Sequence, residues 1–162
     1  MLNHDSNTIS TLSIDTLTGA IKPVGTAVPA GDGPDAIATN GLGTLAVVAN
    51  NVGKTLSVYR INGTNGALTA LASPVATQSL HPRSVAISGN LIFVAVGDYL
   101  GVNKLLTYRV NTTAPSVTLT DTRDLPTGGI ATSVDVNGEG TLVMAPVAGA
   151  NTTAQPGSVG WA

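Results

Sequence analysis

One segment of roughly 48 residues recurs along the whole chain, and a period of that size constrains the possible folds more than any other feature. Thr8-Ile9-Ser10-Thr11-Leu12-Ser13-Ile14 returns 47 residues later as Thr55-Leu56-Ser57-Val58-Tyr59-Arg60-Ile61, and 49 further on as Lys104-Leu105-Leu106-Thr107-Tyr108-Arg109-Val110. Each copy alternates apolar and polar residues, the period of a half-buried strand. The turn that follows recurs too: Thr18-Gly19-Ala20 matches Asn65-Gly66-Ala67, with a glycine to supply the positive φ of a tight hairpin.

A second block repeats at twice the period. Asn40-Gly41-Leu42-Gly43-Thr44-Leu45 reappears 97 residues later as Asn137-Gly138-Glu139-Gly140-Thr141-Leu142, and Ser88-Gly89-Asn90-Leu91 is its shorter middle copy. Short runs rich in β-branched residues flank each turn: 36–38, 84–87 and 133–136 before it, 45–49, 91–96 and 142–145 after it. Each period therefore holds four strands, A and B on either side of the Asn-Gly turn, C of the Thr-Leu-Ser-Val-Tyr type, and D as in Leu68 to Ala76. Four strands per 40 to 50 residues is the signature of a propeller blade, whereas stacked solenoids use shorter periods.

The predicted fold class is thus all-β, a β-propeller segment of four-stranded antiparallel blades. Asn3 aligns with Asn50, so the first residues match the end of a B strand, and Gly157 to Ala162 matches a C strand. The expected inventory is 13 strands, about three and a quarter blades: a half blade over 1–34, blades over 35–82 and 83–131, and a partial blade over 132–162. Propellers close with about four to eight blades, so the ring predicted here is incomplete. Its open blade edges predict self-association.

Composition agrees with strands and turns and removes several functions. Charged residues make up 10% of the chain, against about 25% in an average domain. The 22 Thr, 12 Asn and 19 Gly take over the solvent-facing and turn positions. A net charge of -2 with no run of Lys or Arg argues against nucleic acid as a partner. No apolar stretch approaches the ~20 residues of a membrane helix. The first residues show neither a basic nor an apolar signal region, which leaves the compartment open. The absence of Cys removes disulfides and thiolate metal sites, two His 77 apart do not suggest zinc, and no Asp-x-Asp-x-Asp spacing suggests calcium. No metal and no cofactor are expected. The glycine runs at 31–33 and 127–129 precede strands, not helices, and read as turns; no Gly-x-Ser-x-Gly elbow occurs.

The segment 8–21, Gly33-Pro34-Asp35-Ala36-Ile37-Ala38, and Gly43-Thr44-Leu45-Ala46-Val47-Val48-Ala49-Asn50 together resemble the lactonase family of seven-bladed β-propellers, which includes 6-phosphogluconolactonases and carboxymuconate cyclases. Surface-layer propellers share the blade pattern. The resemblance covers about half of such a ring. It implies strand A innermost, with a site at the channel mouth on the face carrying the D-to-A and B-to-C connections. That face would hold Asp35, His81, Arg83, Asp98 and Asn50, and would leave Glu139 on the other side.

Within Leu80-His81-Pro82-Arg83, the resemblance implies that strand A aims Arg83 at the channel, level with Asp35 in the preceding blade and Thr132 in the next. A guanidinium is a planar fork suited to carboxylate or phosphate. An imidazole exchanges protons near neutrality, which suits His81 to activating water against a lactone carbonyl. The implied catalytic pair is His81 and Arg83, with Asp35, Asp98 and Asn50 as ligand-binding residues and a small-molecule lactone or carbohydrate acid as partner. The competing reading makes His81 and Arg83 polar rim residues paired with Asp35 or Asp98, in a non-catalytic surface or extracellular scaffold. The sequons at Asn62, Asn111 and Asn151 are expected by chance in so Asn- and Thr-rich a chain, and Tyr59 and Tyr108 are expected to pack between adjacent blades.

Overall fold

The computed structural model describes residues 1–97 and 101–149; Asp98, Tyr99 and the C strand expected near the last residues lie outside them. The described residues form strands and no helix. A first sheet holds β1 (Leu2–Asn3), β2 (Thr8–Ile14) and β3 (Ile21–Pro29) in that order. A second holds β4 (Pro34–Thr39), β5 (Leu45–Asn50), β6 (Thr55–Ile61), β7 (Leu68–Ala70) and β8 (Val75–Ala76), with β7 and β8 both on β6. The third is the regular one: β9 (His81–Ser88), β10 (Leu91–Gly97), β11 (Asn103–Asn111) and β12 (Ser116–Asp124). Last come β13 (Ile130–Ala131), β14 (Asp135–Val136), β15 (Val143–Met144) and β16 (Val147–Ala148), with β13 on β16 and β14 on β15. All pairing is antiparallel, and the arrangement is an open part of a propeller.

Two predicted strands are interrupted, and proline accounts for both. The run 68–76 splits into β7 and β8 because Pro74 has no N–H for the ladder, and Leu71 turns inward with its N–H on the Val58 carbonyl at 2.8 Å. In the last hairpin Pro146 again supplies only a carbonyl, which accepts from Thr132 N–H at 3.2 Å between the two short ladders.

The middle sheets explain why their B strands are almost purely apolar. On β5, Leu45, Val47 and Ala49 face the third sheet with Leu56 and Val58, against Ile92, Val94 and Val96. The alternate residues Ala46 and Val48 face the first sheet and join Ile9 and Tyr59. With a sheet on each side, every residue of β5 is buried. Each fully buried Val or Leu contributes about 1.5–3 kcal/mol. A third cluster, around Phe93, Ala95, Ala131 and Val134, fixes the last hairpin to the third sheet.

Turn residues repeat down to the atom. Asn40 Oδ1 accepts from Thr44 N–H (2.9 Å) and Leu45 N–H (3.0 Å), and Asn137 Oδ1 accepts from Thr141 N–H (2.8 Å) and Leu142 N–H (2.9 Å). At the C-to-D turns, Asp15, Asn62 and Asn111 each accept two backbone N–H bonds from the residues just ahead. Those bonds hold the Asp15 carboxyl below its usual range. They also account for Asn62 and Asn111 without glycosylation: the positions are Asx turns of the repeat.

Tyr59 and Tyr108 join blades as the sequence suggested. Tyr59 donates its hydroxyl to the Pro29 carbonyl (2.7 Å) and Tyr108 to the Ala76 carbonyl (2.9 Å), each reaching the D strand of the preceding sheet. Burial raises both hydroxyls, that of Tyr108 to about 12. A folded-state value above the unfolded one near 10 means that the neutral hydroxyl stabilises the fold below pH ~10, and that this contribution is lost as pH rises toward about 12. Tyr108→Phe is expected to cost about 1 kcal/mol at pH 7. It is also expected to flatten the decline in stability between pH 10 and 12, read from urea titrations at each pH. An unchanged alkaline slope in the variant would remove Tyr108 as its source.

Candidate functional site

In the second and third sheets strand A places a proline just before the residue predicted to face the channel, and the backbone treats both copies alike. On β4, Pro34 pairs with Asn50 and Ala36 with Ala49, so Asp35 is an extra residue in the ladder. On β9, Pro82 pairs with Val96 and Ser84 with Ala95, so Arg83 is extra in the same way. A β-bulge leaves its residue unpaired across the ladder and re-aims the side chain. Two successive blades thus project a carboxylate and a guanidinium from equivalent bulges.

These residues meet at one cavity of about 480 Å³, lined by Asp35, Arg83, Ile130, Thr132, Ala148 and Gly149. The Nε and Nη2 atoms of Arg83 are buried, whereas Asp35 is exposed. The juxtaposition of Asp35, Arg83 and Thr132, 48 and 49 residues apart, is the one their equivalence in the repeat implies. An acceptor, a five-donor cation and a hydroxyl around one concave surface suit a polyhydroxylated anion.

His81 is placed differently. It pairs with Gly97, two residues ahead of the Arg83 bulge, and its Nδ1 lies 3.0 Å from the Asn51 carbonyl. A carbonyl only accepts, so in this contact the imidazole Nδ1–H donates to the Asn51 carbonyl. Asn51 Nδ2 in turn donates to the Pro82 carbonyl at 3.1 Å, clasping the start of strand A from the B-to-C connection. The larger cavity, about 550 Å³, lies instead among the A-to-B turns around Asn40, Gly89 and Asn137. The described residues lining these two cavities do not include His81.

Asn50 sits inside the second sheet with no exposed surface. It donates to Thr55 Oγ1 (3.1 Å) and Ser57 Oγ (2.9 Å) and accepts from Gly31 N–H (3.1 Å). Asn3 repeats the pattern with Thr8 Oγ1 and Ser10 Oγ, both at 2.9 Å. These bonds spend the Asn50 amide on joining strands B and C. No group of three or more His, Cys, Asp or Glu suited to a metal occurs among the described residues.

Sequence reasoning made Asp35, Arg83 and Thr132 equivalent positions of the repeat, which line one cavity, but missed the bulges. The available signal was proline at position 34 and again at 82, directly before the residue concerned. Ile130, Ala148 and Gly149 reach the cavity only through the interrupted last hairpin, which no local pattern announces.

A family model described as "Lactonase, 7-bladed beta-propeller" matches residues 1–86. Among solved structures, the periplasmic gluconolactonase of Pseudomonas aeruginosa superposes with a TM-score of 0.67 at 21% identity, covering 87% of this chain and 43% of that one. A candidate 6-phosphogluconolactonase from Bacteroides uniformis gives 0.69 at 19% identity, over 89% and 44%. A functionally unknown protein from Desulfotomaculum acetoxidans gives 0.60 at 19%, over 74% and 36%. At such identities these likenesses show the fold. The chain spans less than half the length of each of them. No curated protein matches significantly. The family model spans more than half of the 162 residues, and the repeat, the sheets and the open ring agree with it: the chain belongs to the lactonase family of seven-bladed β-propellers.

Proposed function

We propose that the cavity between Asp35, Arg83 and Thr132 binds the lactone of a sugar acid, and that the ring to which this segment belongs hydrolyses it. The observation that carries this reading is the pair of equivalent bulges that turn Asp35 and Arg83 into one cavity beside Thr132. Arg83 anchors a carboxylate or phosphate through its guanidinium fork, while Asp35 and Thr132 hydrogen-bond sugar hydroxyls. Water adds to the lactone carbonyl carbon and gives up a proton, for which His81, two residues before Arg83 on the same strand but outside the lining of this cavity, is the candidate acceptor. The ring C–O bond then breaks, and the leaving oxygen takes a proton to give the open hydroxy acid.

A panel of aldonolactones, with and without a phosphate, tests the reading after subtraction of spontaneous hydrolysis. Turnover above background is expected, and His81→Gln is expected to lower kcat by 10²-fold or more with little change in KM. Unchanged turnover in that variant would remove His81 from the mechanism. Saturable binding of the hydroxy acid without any turnover would favour the non-catalytic scaffold.

A further inference from the structure

One position of the repeat, where strand C begins, lies against the connection that leads into the following strand A. Asn7, Lys54 and Asn103 hold it, 47 and 49 residues apart. Their carbonyls accept alike from the first residue after strand D: Ala30 N–H (2.8 Å), Thr77 N–H (2.9 Å) and Leu125 N–H (2.9 Å). At two of the three copies the side chain is an amide, and those two connections lead to Asp35 and Thr132.

Asn103 is 2% exposed. Its Nδ2 donates to the carbonyls of Gly129 (2.8 Å), Pro126 (3.2 Å) and Gly101 (3.2 Å), and its Oδ1 accepts from Ala131 N–H (2.8 Å). Glycine at position 97 makes room for it, because a Cβ there would stand 2.7 Å from Asn103 Oδ1. Ala131 is fully buried in the cluster of Phe93 and Ala95. Successive side chains of a strand point to opposite sides, so holding Ala131 inward turns Ile130 and Thr132 the other way, and both line the cavity. Asn7 acts alike on the earlier connection. Its Oδ1 accepts from Gly33 N–H at 2.8 Å, two residues before Asp35, and its Nδ2 donates to Asp32 Oδ1 at 3.1 Å. Gly33 has a φ of 59°, and a Cβ there would stand 2.4 Å from Val52 Cγ2, which leaves this backbone little room to shift.

The connection to Arg83 is held otherwise. Lys54 fills the repeat position, and Thr77–Leu80 closes on itself: Leu80 N–H donates to the Thr77 carbonyl (3.0 Å) and Thr77 Oγ1 to the Leu80 carbonyl (2.7 Å). Gln78 and Ser79 between them are both left-handed, with φ of 53° and 60°, as a tight primed turn requires.

We infer that Asn103 and Asn7 are positioning residues. Each sets, from one sheet, the entry of strand A in the following one, and so fixes where Thr132 and Asp35 present their oxygens to a ligand, an assignment that rests on the hydroxyl-binding role proposed above.

Calorimetric titration of the full chain with an aldonate, paired with amide exchange at Ala131 and Gly33, tests both roles. Asn103→Ala is expected to weaken binding about tenfold and to speed exchange of the Ala131 amide at least about tenfold. Thr132→Val is expected to weaken binding about tenfold with native exchange. The double variant is expected to bind no more weakly than Thr132→Val alone, since a misplaced hydroxyl and a missing one are the same loss. Asn7→Ala removes a half-buried amide and reads the same test at Gly33 and Asp35 even where Asn103→Ala fails to fold. Asn111→Ala, at an Asx turn of the opposite face, is the control expected to leave both readouts unchanged. Additive losses in Asn103→Ala/Thr132→Val, or native exchange rates at Ala131 in Asn103→Ala and at Gly33 in Asn7→Ala, overturn the positioning role. A native chain that binds no aldonate, or a Thr132→Val variant that binds it as well as the native chain, overturns the hydroxyl-binding role instead; amide exchange then decides by itself whether the two asparagines hold their connections.

Discussion

Arg83→Met is expected to lower kcat/KM for an anionic aldonolactone about 10²–10³-fold, roughly 3–4 kcal/mol of lost transition-state binding. Methionine keeps much of the aliphatic stem while removing all five donors, so the loss measures the fork and not the packing. Arg83→Lys retains the charge but not the planar geometry, and about a tenfold loss is expected. Equal losses for an anionic lactone and for a neutral one would show that Arg83 acts on the fold or the cavity shape, not on an anion. Thermal melts of both variants close to that of the native chain are part of the expectation, because Arg83 occupies a bulge and not a ladder pair.

The largest effect on stability is expected at Asn50. Asn50→Leu removes three hydrogen bonds in a fully buried setting and strands the Gly31 N–H that its Oδ1 accepts from. A buried group left without its partner costs about 1–3 kcal/mol, and the total expected is about 3 kcal/mol, or roughly 10 °C in Tm for a chain of this size. Leucine would also press on Gly31, where an added Cβ already stands 2.4 Å from the Asn50 amide nitrogen. The repeat supplies a control: Asn3→Ala removes the same kind of bonds from a half-buried position and is expected to cost about 1 kcal/mol. Equal destabilisation at the two positions would contradict burial as the source of the difference.

The same asparagine shows where sequence reasoning about the site stops. Asn50 and Asp35 both fall on the channel-mouth side of a blade, and their residue types suit ligand binding equally well. Strand B is inside its sheet, so the amide of Asn50 is consumed by strands C and the D-to-A connection. Asp35 stands one residue past a proline, where the ladder skips, and reaches open space. His81 and Arg83 are separated by the same skip, although they are two apart on one strand. Alternation would place both on one face; the bulge breaks the alternation between them.

What the amino-acid sequence determined by itself is the repeat: its period, its four strands, its Asn-Gly and Asx turns and the equivalence of 35, 83 and 132. Those follow from local chemistry, since alternation, β-branching and turn residues act over a few positions at a time. The tertiary structure alone decided which equivalent residues share a surface. Tyr59 and Tyr108 find carbonyls on another sheet, Ile37 is exposed where Val85 is buried, and Leu142 and Met144 remain uncovered where Leu45 and Val47 are packed. The repeated residues are nearly the same; what differs, among the described residues, is how far an adjacent sheet takes their apolar surface out of water.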